Sequence, residues 1–201
     1  MKIAEIYTNP SRDESVQDFA RHFSRPQQQR QLSNGFDNLA QLEEELCHLG
    51  VFEGGRLISY LSLHRTDNFW QVDMQCTERD RRGQGFVRAN IEWAIDLFGC
   101  IISDSAQTAE AQQVWTALIK HPNLYHYSCY DLDSGLQQPL VWKQGAVEPN
   151  PWDQTEHTVI LACSRTVSTA STARLEERIK FEIRNSRKSR WIGQGFTEFN
   201  P

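Results

Sequence analysis

The stretch Arg82-Gly83-Gln84-Gly85-Phe86-Val87 decides how the rest of the chain is read, because of what lies on either side of it. Before it, Trp70, Val72, Met74 and Cys76 alternate with Gln71, Asp73 and Gln75, the period-2 pattern of a strand with one apolar face. After it, Phe86, Val87, Ile91, Ala94, Ile95 and Phe98 recur at helical spacing. A strand, a basic glycine-containing turn and an amphipathic helix make a pyrophosphate cradle: glycine lets the backbone approach closely, and unpaired N–H groups at a helix start attract anions. The turn therefore predicts a phosphate-bearing cofactor.

The glycine spacing is not that of a dinucleotide fingerprint, and no nucleotide-triphosphate loop of the form G-x-x-x-x-G-K-[ST] is present. The turn resembles instead the acetyl-CoA-binding motif of the GNAT N-acetyltransferases, Q/R-x-x-G-x-G/A, with Arg82 first and Gly85 fourth. Two departures stand out. Val87 occupies the sixth position, where that family usually has Gly or Ala, and the connector Thr77 to Arg81 is slightly long for the family. The resemblance implies acetyl-CoA as cofactor, held by Cys76, Arg81, Arg82, Gly83, Gln84, Gly85, Phe86 and Val87. The Val87 branch either crowds the pyrophosphate or points into the core.

Working outward, Cys47 to Phe52 and Leu57 to His64 are strand-like runs joined by the hairpin signal Glu53-Gly54-Gly55-Arg56. Cys100-Ile101-Ile102 reads as a short buried strand. Thr108 then caps a helix whose Ala111, Val114, Trp115, Leu118 and Ile119 share a face until His121-Pro122 stops it. The tyrosine-rich run around Tyr125, Tyr127 and Tyr130 follows as an aromatic strand. Hairpin, strand, turn, helix, strand, helix, strand is the central order of the GNAT fold, so the expected class is an α/β domain with a mixed central sheet flanked by helices.

The amino-terminal region reads as helical, with a capping box at Ser11-Arg12-Asp13-Glu14 and a buried stripe of Val16, Phe19, Ala20 and Phe23. Met1 to Tyr7 is a candidate edge strand, Pro26 to Gln31 a glutamine-rich loop, and Leu39, Leu42 and Leu46 mark a second helix. By the resemblance, Arg25 to Phe36 would wall the acceptor site; a solvated connector fits the residues equally well. Later, Pro139 to Gly145 and Thr158 to Cys163 read as strands around a turn at Asn150-Pro151-Trp152-Asp153.

Composition limits the function classes. The 201 residues are 39% hydrophobic and 10% aromatic, which excludes disorder throughout. No apolar run is long enough for a membrane helix and the start does not resemble a signal peptide, so a cytoplasmic protein without membrane contact is expected. Five scattered cysteines form no small-protein framework and are expected to be reduced, most of them in the core. His121, His126 and Cys129 match no zinc spacing, so no metal site is expected, and no G-x-S-x-G elbow supports hydrolase chemistry.

A Ser/Thr-rich linker and basic extension, 164–201, follow the acyl-CoA-binding domain, 1–163. Residues 174–190 carry a net charge of +4, which leaves −8 on residues 1–173 of a chain whose net charge is −5. With Leu175, Ile179, Phe181 and Ile183 interleaved, the segment either packs on the acidic body or a second subunit, the favoured reading, or engages nucleic acid or an acidic protein.

Acetyl transfer to an amine needs a polarised thioester carbonyl, a deprotonated nucleophile and a proton for the leaving thiolate. The resemblance places the polarising backbone N–H near Cys76 and the thiolate acid at a tyrosine four residues after an alanine, where this chain has Trp115 after Ala111. An indole N–H is no general acid at neutral pH. Tyr125 or Tyr127, or water, remain as donors, unless catalysis is absent. Asp73, Glu78 and Asp104 are the nearest carboxylates for a general base, with Asp104 first because it follows the predicted fifth strand. The leading expectation is N-acyl transfer, in the first place N-acetyl transfer, from acetyl-CoA to an amine of an unidentified acceptor, with a protein as the candidate. The alternative is a non-catalytic binding module of the same fold that engages a macromolecular partner, a host protein or nucleic acid. In general character the chain resembles GNAT-like proteins encoded by bacteriophages.

Overall fold

The computed structural model of the protein describes residues 15–66, 69–104, 107–122, 124–131, 136–153 and 158–165. The basic segment 174–190, the strand expected at Met1 to Tyr7 and the capping box at Ser11 to Glu14 lie outside them.

The strands are β1 (Gln28–Gln31), β2 (Asp37–Leu42), β3 (Leu46–Glu53), β4 (Arg56–Thr66), β5 (Phe69–Thr77), β6 (Cys100–Ile102), β7 (Tyr125–Asp131), β8 (Gln137–Pro139), β9 (Val141–Lys143), β10 (Ala146–Glu148) and β11 (Thr158–Ser164). The helices are α1 (Phe86–Phe98) and α2 (Ala109–Lys120), with a 3-10 helix at Val16–Phe23. Nine strands form one mixed sheet in the order β1-β2-β3-β4-β5-β6-β11-β7-β8, while β9 and β10 pair separately. Within the sheet the β5–β6 pair is parallel and its other pairs are antiparallel. The succession hairpin, strand, turn, helix, strand, helix, strand runs from β3 to β7 as expected, an arrangement consistent with the GNAT fold.

The main core lies between the sheet and α1 with α2, where Leu49, Leu61, Ile91, Ile95, Ile101, Trp115, Leu118 and Ile160 are fully buried. The opposite face of β3 and β4 is covered by the 3-10 helix. Its Phe19 stacks on Tyr60 at 4.5 Å and its Phe23 meets Phe52 edge-on.

Several expectations are corrected. Leu39, Leu42 and Leu46 do not form a second helix: Leu39 and Leu42 lie in β2 and Leu46 opens β3. Their helical spacing is outweighed by pairing along β3 and by Asn38, fully buried and donating to Asn90 Oδ1 at 2.9 Å. The glutamine-rich loop is partly the edge strand β1, since β2 offers it a free edge. The amino-terminal helix is 3-10 rather than α, and its capping box is Ser15 with Asp18. The single strand expected over Pro139 to Gly145 is broken at Leu140, where the chain leaves the main sheet for the β9–β10 hairpin.

Two of the five cysteines expected to be reduced are joined. Cys100 and Cys163 face each other across β6 and β11, with Cα atoms 4.2 Å apart. They lie 63 positions apart in sequence, which hides a pairing made only when β11 returns beside β6. Cys47 and Cys129 are buried thiols, and Cys76 is half-buried.

Candidate functional site

The stripe Trp70, Val72, Met74, Cys76 does not share one face. Ser62 pairs with Met74 and Leu63 with Val72, so Asp73 is an extra residue on β5, a bulge. Trp70 and Val72 pack on the main core, whereas Met74 and Cys76 pack with Phe19 and Tyr60 on the other face of the sheet. A bulge also bends its strand and increases the local twist. Parallel pairing with β6 covers only Trp70↔Ile101 and Gln71↔Ile102. From Val72 to Thr77 the β6-side edge of β5 has no strand partner among the described residues, so the sheet opens here as a fork.

The backbone groups that line this edge follow from the ladder. Glu78 N–H donates to Ile58 C=O at 3.0 Å, and hydrogen-bonded pairs alternate along antiparallel strands. Cys76 therefore turns its N–H and C=O toward β4, where its carbonyl accepts from Ser59 Oγ at 3.3 Å. Gln75 and Thr77 present theirs to the open edge, and Thr77 C=O accepts from Arg82 Nε at 3.4 Å. The Gln75 side chain lies on the α1 side, opposite Leu61, and its Oε1 is buried without a hydrogen-bond partner.

β5 leads into a short 3-10 turn at Arg79–Arg81 and then into the glycines. Gly83 has φ of 78° and Gly85 of 84°, a left-handed conformation that L side chains rarely adopt, and nothing lies within 4 Å of where either Cβ would be. Gly85 is the N-cap of α1. Among the described residues no side chain caps this helix, and its first turn holds no acid, so its leading N–H groups have no side-chain acceptor there. The start of α2 differs, capped by Thr108 with Glu110 in its first turn. Phe86 anchors the turn from below, buried with Val51 and Ile58. Val87 is half-buried and packs against the main core. Gln84 is exposed, and Arg81 pairs with Glu53.

Of the carboxylates, Glu78 sits at the base of the turn with its side chain 10% exposed. Its Oε1 accepts from Arg56 Nε at 3.1 Å, Arg56 Nη2 at 2.9 Å and Gln17 Nε2 at 2.8 Å, which ties the β3–β4 hairpin and the 3-10 helix to the turn. Asp73 and Asp104 follow Gln71 and Ile102, the last parallel pair, by two residues each, so they flank the fork on its two arms. Asp73 accepts from Ser62 Oγ at 3.1 Å.

Ser103, fully buried, ends β6: its Oγ accepts from Ile160 N–H at 2.9 Å and Gln107 Nε2 at 3.0 Å, and donates to Asp104 C=O at 2.9 Å. Sequence reading missed Ser103, Gln75 and Thr77. Strand parity around a bulge and the partners of a buried hydroxyl leave no mark in one sequence.

The tyrosines are elsewhere. Tyr125 donates to Asp96 Oδ1 at 2.9 Å, toward the carboxy-terminal end of α1, about 16 Å along the helix from Gly85. Burial, and then Asp96, push its pKa well above the usual tyrosine value, which makes it a poorer proton donor. Tyr127 is buried and likewise raised by desolvation. Trp115 is 1% exposed in the main core, so the side chain at the resemblance's acid position points away from solvent. Among the described residues no group of three or more His, Cys, Asp or Glu is placed to hold a metal, and no helix is long and apolar enough to cross a membrane.

On the face away from α1, His48 Nδ1 meets Tyr60 Oη at 2.7 Å, its Nε2 lies 3.8 Å from Glu43, and His22 stacks over it at 4.4 Å. Desolvation lowers the pKa of both histidines. Arg21 depresses His22 further and His22 depresses His48 further, while Glu43 opposes both shifts.

No family model matches this chain, and no curated protein matches it significantly. Among solved structures it is similar to the ribosomal-protein-S18-alanine N-acetyltransferase from Escherichia coli, with 14% identity and a TM-score of 0.35 over 63% of this chain and 74% of that one. It is also similar to a "Putative acetyltransferase from GNAT family" from Bacteroides thetaiotaomicron, with 12% identity and a TM-score of 0.38 over 67% and 70% of the two chains. At scores this low the likeness stays a resemblance, and function has to come from the geometry of the site.

Proposed function

We propose that the chain binds a CoA thioester at the fork and the Gly83–Gly85 turn and transfers its acyl group to an amine. One observation carries the reading: a strand with a free edge runs directly into two left-handed glycines and an uncapped, acid-free helix start. The residues present fit the cofactor. Leading N–H groups of α1 would hold the pyrophosphate, with Arg82 adding charge, since Arg81 is already paired with Glu53. Gln75 Oε1, buried and unpartnered, would accept an amide N–H from the pantetheine arm.

When bound, acetyl-CoA supplies an acyl group activated as a thioester. The polarising amide sought near Cys76 is that of Gln75 or Thr77, because those two face the open edge. Asp104 and Asp73, on the two arms of the fork, are the carboxylates that would take the amine proton; Glu78 is occupied by three donors and serves as a clamp. Among the described residues Tyr60, Tyr125, Tyr127 and Tyr130 are each buried, at 2–6% exposure, so water would protonate the leaving thiolate.

A second reading, binding without catalysis, is favoured by the same burial of every tyrosine among the described residues. A thermal-shift series with acetyl-CoA and CoA tests the site: at 100 times its dissociation constant a ligand adds about 2.7 kcal/mol. No shift with either removes the cofactor assignment. A shift with both, but no CoA release with any primary amine offered, leaves the binding module.

A further inference from the structure

A second concave feature, a cavity of about 340 Å³, lies between the carboxy-terminal end of α2, β7 and the β9 segment, and none of residues 82–87 lines it. That volume is at the lower end of the range for small-molecule sites. Its floor is apolar, with Ile119 and Leu140. On its wall Lys120 Nζ stands 5.0 Å from the centre of the Trp142 ring. Arg165 joins it, held by a bond from its Nε to Tyr125 C=O at 3.3 Å and by its N–H to Leu124 C=O at 2.8 Å.

The charge is one-sided. No Asp or Glu lines the cavity, and neither Lys120 nor Arg165 has a carboxylate partner among the described residues. In a chain of net charge −5, a hollow lined by two cations with no carboxylate partner among the described residues concentrates a positive field. An inorganic anion would satisfy the cations and leave the aromatic and aliphatic floor wet. An uncharged aromatic would do the reverse.

We infer that this cavity binds a small organic carboxylate, its apolar body against Trp142 and Leu140 and its carboxylate between Lys120 and Arg165. The site is separate from the cofactor turn, and the inference stands whether or not the chain binds CoA.

The test is calorimetric titration of the full chain with 3-phenylpropanoate, set against 3-phenylpropanamide and inorganic phosphate. The expected result is saturable binding of the acid with Kd below about 1 mM. Amide and phosphate should each bind at least about tenfold more weakly, the loss of one charge-assisted contact or of the buried apolar body. Lys120→Gln and Arg165→Gln, both at exposed positions, should each weaken the acid about tenfold, and excess CoA should leave it bound. Absence of saturation, equal binding of amide or phosphate, indifference to both substitutions, or displacement by CoA would each overturn the assignment.

Discussion

Replacing Gly85 by Glu separates backbone strain from loss of the anion cradle, because the chain contains a matched control. Gly85 and Gly55 both have φ of 84°, and at both the added Cβ meets nothing within 4 Å. Each Gly→Glu change costs about 1–2 kcal/mol for placing an L residue in the left-handed region. At Gly85 the new carboxylate sits at the start of α1 and recovers about 0.3–1 kcal/mol from the helix dipole. Both variants therefore stay folded and lose a few degrees of Tm, at about 2–4 °C per kcal/mol for a chain of this size. Their response to ligand differs. Wild type and Gly55→Glu should gain about 5–10 °C from acetyl-CoA at 100 times the wild-type Kd, whereas Gly85→Glu, with a side chain and a negative charge where the pyrophosphate would lie, should gain nothing. Calorimetry on the folded variants checks the same point directly. Equal CoA affinity in Gly85→Glu and Gly55→Glu would remove the turn from the site.

Arg82→Ala removes one charge contact and leaves the backbone donors, so it should weaken CoA by about tenfold, well short of Gly85→Glu in the same titration. Val87→Ala should cost up to about 1 kcal/mol in urea unfolding, since lost packing is partly offset by helix propensity, and leave CoA affinity unchanged. Tighter binding would show that the valine faces the ligand and not the core. Ser103→Ala should destabilise by about 1–3 kcal/mol, because a buried hydroxyl that accepts from Ile160 N–H and Gln107 Nε2 is lost; a loss within error would refute its part in ending β6. Stability should also fall with pH. The folded pKa values of His22 and His48 lie below 6.5, so the unfolded chain takes up protons first as the pH drops through that value. Full stability is present above about pH 6.5 and declines below it, and Gln at both positions should flatten the slope of the denaturation midpoint between pH 7.5 and 5.5, with an unchanged slope sinking the account.

The parts of the fold legible in the sequence are those where local pattern and tertiary environment agree. The Glu53-Gly54-Gly55-Arg56 hairpin, the Thr108 cap and the strand at Thr158 all stand where the residues put them, because each is decided by turn chemistry or a short apolar run. Leu39 and Leu42 misled because three-residue spacing in a short segment also fits a strand that is buried on both faces. The pairing of Cys100 with Cys163 required knowing that β11 returns between β6 and β7, a non-local fact. In the candidate site the glycines and Arg82 were readable as types. That Glu78 would be held by Arg56 and Gln17, and Tyr125 by Asp96, depends on neighbours brought from distant parts of the chain.

The bulge at Asp73 links these levels. Had the alternation continued unbroken, Met74 and Cys76 would have followed Val72 under α1, and Gln75 would have pointed away from it. The extra residue moves the two apolar side chains to the face packed by Phe19 and Tyr60, and brings Gln75, with its unpartnered Oε1, to the α1 side. It also bends β5 just where β6, only three residues long, is stopped by the Ser103 hydroxyl. Bulge and stop act together: one diverts a strand, the other withdraws its neighbour, and the amides of Gln75 and Thr77 are left facing the gap. Thr77 C=O is met by Arg82 Nε, and the edge N–H groups, which have no strand partner among the described residues, are the ones the proposed ligand would bond. Restoring the alternation by deleting Asp73 should therefore lose CoA binding even if the shortened chain folds, and a folded deletion variant with unchanged affinity would show that the fork is not the site.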